Sequence, residues 1–120
     1  MISVHLKKLP QTEYELKDNA KRAARSVTRN IAEGYGRFNY QENAQFCRIA
    51  RGSLHELIDD VITLCSENYI SEEEKDELTA QLNKCIHILN GYIRYLISAK
   101  ENSSTKKTIQ PTNKSIINNE

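Results

Sequence analysis

The sequence predicts an all-α fold: an antiparallel up-and-down helical bundle of three long helices preceded by a short N-terminal one. Three observations carry the prediction. Apolar residues recur at steps of three and four, which lines one face of a helix. Capping-box pairs precede the periodic stretches: Thr12 with Glu15, Asn39 with Glu42, and Ser71 with Glu74. The last two periodic stretches match in length and are joined by a short connection, which makes them antiparallel neighbours.

Residues 1–9 are expected to form the short first helix, which Pro10 interrupts. Thr12 then caps a second helix over about Glu13 to Glu33, roughly 31 Å long. Ala20, Ala23, Val27 and Ile31 line one of its faces, and Arg22, Arg25 and Arg29 follow the same spacing on a neighbouring face. Gly34 and Gly36 end it, because glycine accepts a left-handed backbone without steric cost, and the turn runs from Gly34 to Phe38.

Asn39 begins the third helix, whose stripe reads Phe46, Ala50, Ser53, Leu57, Val61, Leu64, the alternating rhythm of a bundle seam. Gly52 lies inside it at a cost of ~1 kcal/mol relative to alanine. The expected compensation is close approach of a neighbouring helix at Gly52 and Ser53. Tyr69 and Ile70 close this helix, and Ser71 caps the fourth, with acids filling the first turn where the helix dipole favours them. The fourth helix carries Leu78, Leu82, Cys85, Leu89, Tyr92 and Leu96, with Ile86, Ile93 and Ile97 widening the stripe as if two neighbours buried it. From Glu101 the pattern stops, which divides the chain into a bundle domain over 1–100 and a disordered polar tail over 101–120.

A chain of 120 residues suits one domain. Its apolar runs are too short for a membrane span, and the N-terminus lacks the pattern of a signal peptide. Cys47, Cys65 and Cys85 form no C-x-x-C pair and read as free thiols of a cytoplasmic protein. The net charge of +1 hides a separation. From Lys17 to Arg51 eight cations face three acids, whereas from Glu56 to Glu77 nine acids face one cation. Such an asymmetry marks a nucleic-acid face, or equally lets oppositely charged helices pair within or between subunits.

No catalytic constellation stands out, so no enzyme, cofactor or metal is expected. His55 and Asp59 are spaced as in a zinc motif but lack a third ligand. Gly34-x-Gly36 lacks the strand and third glycine of a dinucleotide loop. Cys85 reads as a core cysteine and His87 as a surface histidine. Asn30, Glu33, Ser53 and Glu56 sit at or beside core-facing positions, as a structural polar layer that fixes register, with Arg29 compensating Glu33.

Two segments carry a resemblance. They are Arg22-Ala23-Ala24-x-Ser26-Val27-x-x-Asn30-Ile31-Ala32-Glu33-Gly34-x-Gly36-Arg37 and Ile49-Ala50-x-Gly52-Ser53-Leu54-x-Glu56-Leu57. Together they resemble the four-helix-bundle proteins encoded by intervening sequences within bacterial 23S ribosomal RNA genes. The accessory protein of diversity-generating retroelements is similar in fold. The resemblance covers about Pro10 to Ile97. It implies a cytoplasmic, non-enzymatic homo-oligomer, typically a homopentamer. For the retroelement branch it also implies binding of RNA or DNA and contact with a reverse transcriptase. The matching nucleic-acid-binding positions are Arg22, Arg25, Arg29 and Arg37. The chain departs from the family in having only nine residues before Pro10, where the family has a long first helix. The reading is therefore a homo-oligomeric scaffold binding nucleic acid, RNA more than DNA. The alternative is a protein-interaction scaffold whose basic and acidic faces pair. Ile86, Ile93 and Ile97 are expected on a second apolar surface that association buries.

Overall fold

The structure, a computed structural model, describes residues 10–116. Three helices follow one another: α1 over Pro10–Tyr35, α2 over Tyr40–Ser66 and α3 over Glu72–Ile116. There is no strand among the described residues. The short helix expected over residues 1–9 lies outside them, so the described architecture has three helices rather than four.

Helix α1 already includes Pro10, whose missing amide costs nothing in a first turn. Thr12 thus lies inside the helix and is not its N-cap. The inward stripe is Leu16, Ala20, Ala23, Val27, Asn30 and Gly34. It ends on Asn30 and Gly34 rather than on Ile31, which remains exposed.

Gly34 is helical and buried, not part of a left-handed turn, and no described glycine has a positive φ. Its requirement is space. A Cβ there would sit 2.7 Å from Asn43 Oδ1 and 2.9 Å from Phe46 Cβ, so α2 crosses directly on the bare backbone. The expected close approach at Gly52 is absent: Gly52 is exposed with open space around it, and only its neighbour Ser53 is buried.

Asn39 caps α2 as expected, its Oδ1 accepting from the Glu42 amide at 3.0 Å. The other end of α2 stops at Asn68, the one described non-glycine residue with positive φ, at 68°. The Tyr69 amide donates to the Leu64 carbonyl and the Asn68 amide to the Cys65 carbonyl, both at 2.9 Å, the paired bonds of a Schellman motif. Ser71 and Glu74 form a complete capping box for α3, with bonds of 2.8 and 3.0 Å. Helix α3 continues past the last residue of its apolar stripe to Ile116, so the division at residue 100 rests on sequence pattern alone.

Helix α2 is the middle element. Helices α1 and α3 each lie along it and meet one another only sparingly. The core joins Ala44, Cys47, Ala50 and Leu54 of α2 to Ile86, Leu89, Ile93 and Leu96 of α3, with Val27 of α1 against it. This corrects the expected placement of Ile86 and Ile93. They belong to the seam with α2, and among the described residues it is α2, not the last helix, that two neighbours bury. Cys85, expected in the core, is exposed.

Candidate nucleic-acid interface

The packing of α1 decides where its arginines go. Ala23, Val27, Asn30 and Gly34 lie on the inward side of α1 against α2, so Arg22, Arg25 and Arg29 are left on the outer surface. Their surroundings differ. Arg22 donates to Asp18 Oδ2 at 2.9 Å and also reaches Asn19. It borders a cleft of about 360 Å³ closed on the α2 side by Glu56, Asp59 and Asp60. Partial burial raises the Asp60 carboxyl above its ordinary pKa, Asp59 and Glu56 add to the effect, and Arg22 opposes it. Arg22 therefore serves an acidic wall of its own chain.

Arg25 and Arg29 are exposed and have no carboxylate partner among the described residues. Arg37 is committed elsewhere. It pairs with Glu33 at 2.7 Å and Glu42 at 3.7 Å, and its guanidinium lies 4.9 Å from the centre of the Phe46 ring. It clamps the end of α1 to the start of α2. The four expected positions thus separate into two open cations, one facing acids and one structural clamp.

The expected polar layer is half present. Ser26 and Ser53 hydroxyls meet at 2.7 Å across α1 and α2, and Asn30 Nδ2 donates to the Ser26 carbonyl at 2.8 Å and its hydroxyl at 3.1 Å. Glu33 and Glu56 are exposed and take no part in it. A second polar seam joins α2 to α3. Asn43 Nδ2 donates to the Tyr92 hydroxyl at 3.0 Å, the Cys47 thiol to Asn43 Oδ1 at 3.6 Å, and Arg51 to Asn90 Oδ1 at 2.8 Å. Burial raises the Cys47 thiol pKa. Ser26, Asn43 and Tyr92 join these polar seams beyond the positions that the sequence pattern marks. Asn43 had a signal, since it stands one turn before Cys47 and in register with Ala50 and Ser53.

Beside the arginine face, α1 and α3 leave an open apolar groove of about 470 Å³ lined by Thr28, Ile31, Ala32, Tyr35 and Tyr92. Tyr95 stacks on Tyr92, with ring centres 6.2 Å apart and planes 13° from parallel. Ile88, one turn before Tyr92, is 62% exposed. Among the described residues no three His, Cys, Asp or Glu side chains gather as metal ligands, and no helix is long and apolar enough to cross a membrane.

A family model described as 23S rRNA-intervening sequence protein matches residues 2–91. The chain belongs to this family. In this intervening-sequence protein the match spans α1, α2 and α3 as far as Gly91. It takes in the arginine face and the Ser26–Ser53 contact, and ends just before Tyr92 and Tyr95. No curated protein and no solved structure matches the chain.

Proposed function

We propose that the chain is a non-enzymatic, homo-oligomeric helical scaffold that binds nucleic acid, RNA more than DNA, through the outer face of α1. The observation that carries this reading is the state of Arg25 and Arg29: one turn apart, exposed, and unpaired among the described residues. Lys21, one turn earlier, is exposed and likewise lacks an ion pair there. Cations at this spacing present a charged stripe to a phosphate backbone at no cost in broken contacts.

Association is the second part of the reading. The Ile31–Tyr35–Tyr92 groove is an apolar surface between two helices, the place a fourth helix of a bundle occupies. A helix from another copy of the chain covers it in this proposal, closing four-helix bundles within a ring such as the family's pentamer. A cytoplasmic site and a reverse transcriptase partner belong to the same proposal, the latter where the gene lies in a retroelement. One observation favours the alternative of pairing charged faces. Arg22 borders Glu56, Asp59 and Asp60, so part of the basic helix is matched to acid within the chain.

Titrating RNA and DNA into the protein across a salt series tests the binding claim. The log of the affinity should fall linearly with the log of salt, and Arg25→Ala with Arg29→Ala should flatten that slope by about two counter-ions. Weak binding indifferent to salt, or a slope untouched by the double substitution, contradicts it.

A further inference from the structure

The turn between α1 and α2 exposes aromatic rings that the fold does not use. Phe38 is 107% exposed, Tyr35 78% and Tyr95 60%. With Tyr40 they surround a cleft of about 380 Å³ that reaches down to Asn43 and Tyr92. Exposed rings concentrated at one end of a small chain mark a binding surface.

The cleft differs in chemistry from the groove beside it. Arg37, Asn39 and Asn43 contribute to its walls, so aromatic rings stand there beside polar groups, where the groove is lined almost wholly by apolar atoms. Flat faces with polar edges suit a flat ligand that itself has hydrogen-bonding edges. The Tyr92 hydroxyl accepts from Asn43 Nδ2 and so keeps its own proton to donate. Phosphate-binding charge is close on both sides. Arg48 and Lys100 border the adjoining hollow that shares Tyr40. Along α1, Tyr35 stands six residues beyond Arg29, about 9 Å of helix.

We infer that this cleft holds unpaired nucleobases of a single-stranded nucleic acid, stacked on Phe38, Tyr35 and Tyr95, while the adjoining phosphates run toward Arg29 and Arg25. Every base has a flat face, so such stacking requires single strands without requiring a sequence. A duplex keeps its bases out of reach of these rings. The inference rests on the nucleic-acid reading and narrows it to single strands.

The test uses the full chain and three labelled probes of equal length: oligouridylate, oligodeoxyuridylate and a blunt RNA duplex. Affinities are measured for the wild type, Phe38→Ala, Tyr95→Ala and the Arg25→Ala/Arg29→Ala pair, with assembly mass recorded for each. Single strands should bind at least about tenfold tighter than the duplex. Each aromatic substitution should weaken single-strand binding by roughly five- to a hundredfold, the range for one stacked base. Salt slope should survive the aromatic substitutions and fall in the arginine pair. Tight binding of either single strand supports the inference, and the ratio of the two identifies ribose or deoxyribose as the source. Salt-dependent binding that ignores strandedness and Phe38→Ala overturns the inference and leaves the arginine reading standing. Absence of binding to all three probes at low salt overturns both. An assembly mass lowered by Phe38→Ala assigns the rings to a protein interface instead. Phe38 touches nothing it stabilises, so its loss reads binding rather than folding.

Discussion

Gly34 and Gly52 occupy the same kind of position, a glycine inside a helix, and the structure gives them opposite roles. At Gly34 an added methyl group meets Asn43 and Phe46 at under 3.0 Å, and the Asn43 carbonyl at 3.1 Å is backbone that cannot rotate away. Overpacking of this kind costs about 1–3 kcal/mol. Gly34→Ala should therefore be less stable than wild type in urea, whatever its helix propensity adds. At Gly52 nothing lies within 4 Å, so Gly52→Ala should gain up to about 1 kcal/mol from propensity alone. Equal behaviour of the two variants would show that the crossing at Gly34 is looser than described. The sequence displays both glycines and cannot display what approaches them, so the close helix crossing falls at Gly34, where a turn is expected, and not at Gly52. Asp60 gives a second test at this scale. Its pKa is raised by burial and by Asp59 and Glu56, so the folded state holds its proton more tightly than the unfolded chain does. Its contribution is fully present below the ordinary aspartate range and is lost as pH rises through the raised value. Asp60→Asn should thus be the more stable protein at neutral pH, and the advantage should vanish in thermal melts below the ordinary aspartate range. An advantage that grows toward acid contradicts the assignment.

Among the elements, the helices themselves and two of their three starts were legible, because Asn39 and Ser71 act through bonds local to their own turn. Thr12 and Glu15 show the same pattern but fall inside a helix that already includes Pro10. The identity of the middle helix was not legible. Helix α2 meets both neighbours largely through Ala44, Cys47, Ala50 and Ser53, small side chains with weak hydropathy. Helix α3 displays isoleucines that look like a second face, yet Ile86 and Ile93 lie in the seam with α2. Ile86→Asp or Ile93→Asp should cost about 3–5 kcal/mol by placing an unpaired charge in the core. Ile88→Asp, on the open side, should change chemical stability by under about 0.5 kcal/mol. Similar denaturation midpoints for Ile86→Asp and wild type would contradict the seam. The candidate site divides in the same way. A spacing of three and four places Arg22, Arg25 and Arg29 on one side of α1, but only the packing reveals that Arg22 faces acids of α2 and that Arg37 is held by Glu33, Glu42 and Phe46.

At the scale of the molecule, two helices flank a third and, among the described residues, leave an apolar side open. Tyr35 and Ile31 on α1, with Tyr92 on α3, line that side, and exposed Ile88 stands one turn before Tyr92, while Arg25 and Arg29 lie on the outer face of α1. Self-association through the open side and phosphate contact through the arginines use different faces of α1, whereas Tyr35 and Tyr92 line both the groove and the aromatic cleft, so a covering helix and stacked bases meet at those two rings. Each large side chain left in water forgoes roughly 1.5–3 kcal/mol of burial, so several of them together favour assembly strongly. Covering that side also repeats the arginine stripe once per subunit, which multiplies a weak phosphate contact into a firm one. The measurement that tests this account most directly is light scattering on the purified chain at micromolar concentration, set beside Ile31→Asp/Ile88→Asp. The wild type should give several times the 13.8 kDa chain mass, and the double variant a lower mass with its helix content intact. A wild-type protein that stays monodisperse at 13.8 kDa and melts cooperatively would contradict it.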